Sequence, residues 1–225
     1  MGAARLSWDG YARTWAGLHG GQDPRRVASA RRWLRLAYRI GILLARLRIP
    51  PTAVTACGLL LSLLVPLLVL VGPAGAVLAG GLVLLAGLAD SVDGAVAMVT
   101  GRTTRLGHVY DSLADRLGEA AWLTGFWLLG APAAVVVPIG ALGWLHEYLR
   151  SRAIGAGMLG VGRVTVGEYP VRVLVACVGL VLAGAAGRVG ADLAAGTVTV
   201  VAAVWGLLAL FGFRQLFNSV RDALR

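Results

Sequence analysis

Charge and cysteine are both scarce in this sequence. Of its 225 residues only 14% are charged, whereas 58% are hydrophobic, and its mean hydropathy is +0.77. This composition is typical of an integral membrane protein. The two cysteines, Cys57 and Cys177, both lie inside apolar segments, so the sequence excludes a disulfide framework and any metal site built on cysteine spacing.

Lysine is absent: the 21 basic residues are all arginine, against 11 acidic residues, for a formal charge of +10. An excess of basic residues is also typical of nucleic-acid-binding proteins, but soluble basic domains do not carry apolar runs of this length. We therefore expect a membrane, and not a nucleic acid, as the partner of this charge. Residues 1–21 lack the continuous apolar run of a signal peptide, so the first spanning helix is expected to direct insertion.

Apolar segments of spanning length recur six times along the chain. They cover approximately residues 52–71, 74–98, 107–130, 133–152, 169–186 and 193–213. Each is close to the ~20 residues that a helix needs to cross a bilayer. The sequence therefore predicts an all-α membrane bundle of six transmembrane helices over residues 51–225, ending in a polar tail from Arg214. A cytosolic segment, residues 1–50, precedes the bundle.

An amphipathic helix is predicted in the N-terminal segment, from about Ser29 to Arg48. Its apolar and basic residues both recur at helical spacing; they are Trp33, Leu36, Ile40, Leu43 and Leu47, and Arg32, Arg35, Arg39 and Arg46. Such a helix can lie in the membrane interface with its arginines toward lipid phosphates. The same pattern also fits a solvated helix that packs on the cytosolic face of the protein itself. Residues 1–28 are mixed in composition and indicate no role.

The placement of arginine predicts the orientation of the bundle. With both termini on one side, that side collects the N-terminal arginines, Arg102, Arg105, Arg150, Arg152, Arg163, Arg172 and the C-terminal tail. The opposite loops hold only Arg188. The arginine-rich side, with both termini, is therefore expected to be cytosolic in a cell membrane.

Four aspartates interrupt the second and third apolar segments. Asp90 and Asp93 are three residues apart, and Asp111 and Asp115 are four apart, so each pair shares one face of a helix. An unpaired charge in a bilayer costs at least ~3 kcal/mol, and four carboxylates that converge would repel one another. A divalent cation between them removes both costs, and ligands that are all oxygen favour Mg²⁺, Mn²⁺ or Ca²⁺ over zinc.

Two metal ions held by shared carboxylates suit phosphoryl transfer, because they neutralise charge on the attacking and leaving groups. Gly94 and Ala97 lie within about a turn of the aspartates. Small residues there let a nucleotide or pyrophosphate approach the helix backbone. They equally suit close packing of helices in lipid.

The motif resembles the signature of the CDP-alcohol phosphotransferase family of membrane enzymes. It reads Asp90-x2-Asp93-Gly94-x2-Ala97-x9-Gly107-x3-Asp111-x3-Asp115. Further likeness lies in Pro51-Thr52-x-Val54-Thr55-x2-Gly58, and in the segments 147–153 and 168–172, which are similar to the branch of bacterial phosphatidylglycerophosphate and phosphatidylinositol-phosphate synthases. This family has six spans and builds phospholipid head groups.

The resemblance implies roles for individual residues. Asp90, Asp93 and Asp111 would hold one Mg²⁺ or Mn²⁺, and Asp90, Asp111 and Asp115 a second. Asp115 would also be the general base that takes the proton from the acceptor hydroxyl, which attacks the phosphorus of CDP-diacylglycerol and expels CMP. The residues expected to line the CDP-lipid site are Thr52, Thr55, Gly94, Ala97, Arg102, Thr104 and Arg105. A homodimer is also implied by the resemblance.

Three positions depart from the family pattern. Met98 stands where arginine is usual and cannot contact phosphate in its place; Thr52 replaces asparagine and Tyr169 replaces arginine. Arg102 or Arg105 is expected either to substitute for the missing arginine or simply to anchor the cytosolic helix ends.

Arg150, Arg152 and Arg172 form a second constellation. Arginine suits bidentate recognition of phosphate, so these residues are expected to bind the phosphate of an acceptor such as glycerol 3-phosphate or inositol phosphate. Ordinary positive-inside topology is the alternative reading. Nearby acids are expected in ion pairs: Glu119 with Arg116, and Glu147 with Arg150 or Arg152.

The sequence thus predicts a phosphatidyltransferase, with two alternatives. A catalytically inactive relative, with Met98 as its lesion, would bind CDP-lipid or metal without releasing CMP. A cation transporter would carry ions through the acidic site, although the aspartates lie toward one membrane face.

Overall fold

The computed structural model describes residues 6–158 and 165–225, and that part of the chain is helical without any strand. Its α-helices are α1 (Trp8–Leu18), α2 (Ala28–Arg46), α3 (Pro51–Val69), α4 (Pro73–Thr100), α5 (Arg105–Leu128), α6 (Ala133–Gly155), α7 (Tyr169–Ala186) and α8 (Ala191–Ala223). A short 3₁₀ helix, Pro24–Arg26, lies between α1 and α2. The all-α prediction is confirmed. Arg163, one of the arginines used to predict the orientation, lies outside the described residues.

Four helices, α3, α4, α7 and α8, are long and apolar enough to cross a membrane. Their apolar runs make the chain a membrane protein. Helices α5 and α6 are of similar length, 24 and 23 residues, but do not meet the same criterion among the described residues. Helix α5 carries charged residues from Asp111 to Glu119, and α6 ends in a polar stretch from His146 to Arg152.

Two helix boundaries differ from the prediction. Helix α8 continues to Ala223, so the polar stretch from Arg214 belongs to the last helix and is not a separate tail. Of the N-terminal residues, which indicated no role, Trp8–Leu18 form α1. Ser7 caps this helix, its hydroxyl accepting a hydrogen bond from the amide of Gly10 at 3.2 Å, as a serine at an N-cap does.

The described chain divides into two compact units. The first contains the residues up to Leu59 together with Ala86–Asp115, and the second contains Leu60–Leu85 together with Arg116–Arg225. Helices α3, α4 and α5 each contribute residues to both.

The first unit packs its N-terminal helices on α4. One buried cluster joins Ala37 of α2 to Val54 of α3 and to Val92 and Val96 of α4. A second contains Tyr11 of α1, Leu34 of α2 and Ala95 of α4, surrounded by the partly buried Trp8, Trp15, Trp33, Tyr38 and Met98. We call this second set the aromatic cluster. The ring centroids of Tyr11 and Tyr38 lie 5.2 Å apart, and the Tyr38 hydroxyl donates to the carbonyl of Leu6 at 2.7 Å.

One arginine holds both acids of the N-terminal segment. Arg25 lies 3.0 Å from Asp9 and 2.8 Å from Asp23. Hydrogen bonds from the Arg25 side chain and backbone lower the pKa of Asp23 to about 2. The arginines of α2 face outward together with Leu36, Leu43 and Leu47, whereas Leu34, Ala37 and Gly41 are buried.

In the second unit, α7 crosses the first half of α4 at glycines. A Cβ added at Gly184 of α7 would lie 2.7 Å from the carbonyl oxygen of Pro73 and 2.9 Å from the amide of Val77. A Cβ at Gly80 of α4 would lie 2.7 Å from Val181 and 2.9 Å from the carbonyl of Cys177. Small residues allow the two backbones to approach, which is a common way to pack helices in lipid.

Replacing Gly184 with alanine tests this crossing. Because the new methyl group would meet backbone atoms, Gly184→Ala is expected to destabilise the protein by about 1–3 kcal/mol. Thermal unfolding in detergent measures the change. The matched control is Gly196→Ala in α8, where a Cβ meets nothing within 4 Å; equal transition temperatures for the two variants would contradict the close crossing.

Candidate active site

Three aspartates of the first unit converge. Asp90 and Asp93 lie on α4 and Asp111 lies on α5, and one carboxylate oxygen of each is within 4.8 Å of the others. Asp93 is buried, and Asp90 and Asp111 are half-buried. The three-residue spacing on α4 turns Asp90 and Asp93 to one face, and the short connection after Thr100 brings α5 back to it.

This group fits a divalent cation. Three carboxylates so close carry a charge that is costly to bury without a compensating positive ion. Their donor set is all oxygen, which Mg²⁺ and Mn²⁺ prefer. The predicted convergence of the two helices is therefore found for three of the four aspartates.

Asp115 is not one of the three. It lies one helical turn beyond Asp111 on α5 and is half-buried. The four-residue spacing places Asp111 and Asp115 on the same helix face. Its role as metal ligand and base stays a prediction.

Thr55 supports the group from α3. Its hydroxyl lies 2.5 Å from Oδ2 of Asp93 and 3.2 Å from the carbonyl of Pro51. A hydroxyl has a single proton to donate, and the shorter contact is to the carboxylate. The sequence placed Thr55 in the CDP-lipid site; the structure gives it a hydrogen bond to Asp93, a predicted metal ligand, whose carboxylate it orients.

The remaining residues predicted to contact CDP-lipid are distributed over the same unit. Gly94 is half-buried, and a Cβ added there would meet only the terminal methyl of Met98, at 4.0 Å. Ala97 is half-buried on the same helix. Within the described residues, this side of α4 is not closed by tight helix packing, which favours the reading that small residues leave room for a ligand.

The connection between α4 and α5 is exposed. Thr104 caps α5, accepting a hydrogen bond from the amide of Gly107 at 3.0 Å. Arg102 and Arg105 flank it, and Thr52 stands at the start of α3; all three side chains are exposed. The structure thus leaves both arginines accessible to an anionic ligand.

Met98 has a structural use that the sequence did not reveal. Its side chain packs against the aromatic cluster, beside Tyr11, Leu34 and Ala95. An apolar residue at this position therefore contributes to seating the N-terminal helices on α4. No local sequence signal shows this contact, because its partners come from α1 and α2.

The second unit buries a network of opposite charges. Arg172 donates to Glu119 at 2.8 and 3.0 Å and to the carbonyl of Gly167 at 2.6 Å. Arg116 pairs with the same Glu119 at 2.9 Å, which confirms the predicted pair. Glu147 was expected to pair with Arg150 or Arg152. Its carboxylate instead lies within salt-bridge distance of Arg116 and Arg172, at 3.7 and 3.5 Å, because the fold brings α5 and α7 closer to it than its own helix neighbours.

Arg150 is held by Glu168, which precedes α7. Oε1 of Glu168 accepts from Arg150 at 2.6 Å and from the amide and hydroxyl of Thr165 at 3.0 and 3.1 Å. Burial opposes ionisation, but these contacts outweigh it and the pKa of Glu168 lies below its usual value. Arg152 is exposed and has no ion pair among the described residues. Of the three arginines assigned to the acceptor phosphate, two are thus already paired with glutamates.

The Glu168 contacts predict a pH-dependent stability. A carboxylate with a lowered pKa stabilises the fold above its unfolded pKa, about 4.3, and the effect is lost as the pH falls through the folded value. Glu168→Gln is therefore expected to lower the unfolding free energy by about 1–2 kcal/mol at neutral pH and by progressively less in acid.

Thermal unfolding of both proteins across this pH range measures the difference. Asp222→Asn serves as control, since the Asp222 side chain is 71% exposed. A difference between Glu168→Gln and wild type that is constant with pH would contradict the role of the ionised carboxylate.

Comparison with known proteins assigns a family to this chain. Residues 48–209 match the family model of CDP-alcohol phosphatidyltransferase. The chain therefore belongs to the CDP-alcohol phosphatidyltransferase family and is a transferase of phospholipid biosynthesis.

Individual relatives agree with this family. The chain is 33% identical over 141 residues to archaetidylinositol phosphate synthase of Pyrococcus horikoshii, covering 61% of this chain and 74% of that protein. It is 35% identical over 99 residues to phosphatidylinositol phosphate synthase of Mycolicibacterium smegmatis, covering 41% of this chain and 44% of that protein.

Solved structures show the same fold. Phosphatidylinositol phosphate synthase of Mycobacterium tuberculosis, crystallised with CDP-DAG, aligns with a TM-score of 0.64 at 22% identity, over 83% of this chain and 94% of that one. The same enzyme in complex with manganese and citrate aligns with a TM-score of 0.65 at 21% identity, over 83% and 90% of the two chains.

The hydrogen bond from Thr55 gives a direct test of the aspartate group. Thr55→Val keeps the shape of the side chain but removes its hydrogen bond to Asp93, so we expect the metal concentration for half-maximal activity to rise by about 10-fold, as when a group behind a metal ligand is lost. Thr55→Ser keeps the hydroxyl and is expected to stay near wild type. The metal concentration for half-maximal activity is the measurement; identical values for Thr55→Val and Thr55→Ser would contradict the assignment.

Proposed function

We propose that this protein transfers a phosphatidyl group from CDP-diacylglycerol to a hydroxyl acceptor and releases CMP. The observation that carries the proposal is the group formed by Asp90, Asp93 and Asp111, within 4.8 Å of one another, in a chain of this family. Two divalent cations, Mg²⁺ or Mn²⁺, would supply charge neutralisation at the phosphates. Asp90, Asp93 and Asp111 would hold one, and Asp90, Asp111 and Asp115 the other.

In the reaction, the acceptor oxygen forms a bond to the phosphorus attached to diacylglycerol, and the bond from that phosphorus to the CMP oxygen breaks. Asp115 takes the proton of the acceptor hydroxyl. Its position one turn from Asp111, half-buried on α5, supports this role, because a general base must stand beside the reacting hydroxyl.

The donor lies against the exposed side of the same unit in this proposal. Gly94 and Ala97 leave space along α4, Arg102 and Arg105 offer positive charge, and Thr52 and Thr104 stand at neighbouring helix starts. Charge complementarity supports this placement, since the CDP group carries phosphates that arginine binds well. Thr55 acts through Asp93.

The acceptor is proposed to be a phosphorylated polyol, with inositol phosphate ahead of glycerol 3-phosphate. The support comes from the relatives, which are inositol phosphate lipid synthases by name, and from the arginines of the second unit. Arg152 is exposed and available, while Arg150 and Arg172 would bind phosphate by exchanging part of their contacts with Glu168 and Glu119. Arginine pairs with phosphate as readily as with carboxylate.

We further propose six spans, with α5 and α6 crossing beside the four apolar helices. Both termini and the aspartates then face the cytosol, on the arginine-rich side. Residues 51–225 form the membrane domain, and residues 1–50 lie on its cytosolic side with α2 in the interface. The exposed leucines and arginines of α2 support that placement. A homodimer, which the resemblance to the family implies, is part of the same proposal.

The experiment that tests the function uses purified protein with CDP-diacylglycerol and Mg²⁺. Inositol phosphate, glycerol 3-phosphate and free inositol are compared as acceptors, and CMP release is measured. Asp115→Asn is expected to reduce the rate by about 10²–10⁴-fold, the range for loss of a general base. The control Asp192→Asn, an exposed residue of α8, is expected to match wild type.

Two outcomes would contradict parts of this proposal. Equal rates for wild type and Asp115→Asn would remove Asp115 as the base. Metal and CDP-lipid binding without CMP release for any acceptor would indicate an inactive relative, the reading that Met98 favours because this position is committed to packing.

A further inference from the structure

The N-terminal helices contact α4 at the turns that carry the metal ligands. The indole nitrogen of Trp33 donates a hydrogen bond to the hydroxyl of Ser91 at 2.9 Å. Ser91 lies between Asp90 and Asp93 in sequence. It has a second contact on its own helix, to the carbonyl of Gly87 at 3.2 Å, so its one proton goes to the backbone while its oxygen accepts from Trp33.

Close packing reinforces this bond one turn further along. Gly41 of α2 faces α4, where a Cβ would lie 2.9 Å from Cβ of Ala95 and 3.3 Å from the amide of Val96. Tyr11 is fully buried against the same Ala95 within the aromatic cluster. Contact at this distance leaves α2 and α4 little freedom to slide, because packed backbones do not compress.

The two functions of α4 fall on different faces of the helix. Ser91, Ala95 and Met98 recur at intervals of four and three residues and face the N-terminal helices. Asp90, Asp93 and Ala97 recur at three and four residues and share another face. Contacts of the N-terminal helices with the first face therefore restrict the position of the side chains on the second, because both faces belong to the same turns of one rigid helix.

We propose that Trp33 and Ser91 are positioning residues for the metal ligands, and that α1 and α2 brace α4 so that Asp90 and Asp93 keep the spacing that a cation requires. The inference rests on the proposed metal site. Neither residue touches the cation or the substrate; both act through the helix that presents the two aspartates. Carboxylates close enough to repel need such support, since repulsion alone would turn them apart.

The packing of α1 and α2 on α4 also gives a function to Met98, which departs from the family signature, and to α1, which lies outside it. Met98 packs within the aromatic cluster, and α1 contributes the fully buried Tyr11 to the same cluster. In this arrangement the N-terminal segment contributes no ligand, but it holds α4 in the position that the metal site requires.

The test is a titration of the full-length protein in detergent with Mn²⁺, followed by the electron paramagnetic resonance signal of the free ion. Trp33→Phe keeps the ring and removes the donor, and Ser91→Ala removes the acceptor. Each is expected to weaken Mn²⁺ binding by about 10-fold, the lower end of what loss of a group behind a metal ligand causes. The double variant is expected to bind no more weakly than either single one, because both changes remove the same bond.

Two controls separate this role from others. Trp144→Phe alters a tryptophan of α6 that is 47% exposed and makes no hydrogen bond within the described residues, and it is expected to bind Mn²⁺ like wild type. Asp93→Asn is expected to abolish binding. Thermal unfolding of every variant is measured in parallel, so that a loss of affinity is compared with the loss of stability.

Three outcomes would overturn the inference. Wild-type Mn²⁺ affinity in Trp33→Phe and Ser91→Ala, even with lowered stability, would leave them purely structural. Losses that add in the double variant would show that the bond between them is not the link. If wild type binds no Mn²⁺, or Asp93→Asn binds as well as wild type, the proposed metal site itself is wrong and the positioning role fails with it.

Discussion

Repulsion among carboxylates is the constraint on which this structure depends. Asp90, Asp93 and Asp111 bring their oxygens within 4.8 Å of one another, where like charges at low dielectric oppose each other by several kcal/mol. Neighbouring residues hold the carboxylates in place against that repulsion. The hydroxyl of Thr55 holds one oxygen of Asp93, and α2 packs behind α4. Because negative charge is concentrated at this point, the site suits a divalent cation. A cation bound there would in turn suit phosphoryl transfer.

The two units bury charge in different ways. In the second, Arg116, Glu119, Glu147 and Arg172 form a network in which two positive charges balance two negative ones. Such a network balances its charges internally, and its value lies in fixing one arrangement of helices more than in net stability. In the first unit, Asp90, Asp93 and Asp111 bring their oxygens within 4.8 Å of one another, and we propose that a divalent cation balances their charge.

Much of this could be predicted from the sequence, because it depends on local patterns. Apolar runs bounded by Gly72-Pro73 and Ala131-Pro132 placed α3 to α6 to within a few residues, and aspartate spacing predicted the metal group. The rest depends on tertiary contacts. Helix α1 is held by aromatic partners on α2, Met98 by α1, and Glu147 by arginines of α5 and α7. Spacing along one helix cannot reveal partners on another. Helices α5 and α6, which the sequence predicts as spans, are less apolar than the other four because both carry ionisable side chains.

The contacts of Arg25 determine how the N-terminal surface behaves. Asp9 and Asp23 are the only acids among the first fifty residues, and both are paired with Arg25. The other arginines of α1 and α2 form no salt bridge within the described part of the chain, and their side chains are exposed. Because lysine is absent, acetylation cannot discharge this surface. If α2 lies in the membrane interface as proposed, its attraction for anionic lipid would change only with ionic strength and with the lipid composition of that leaflet.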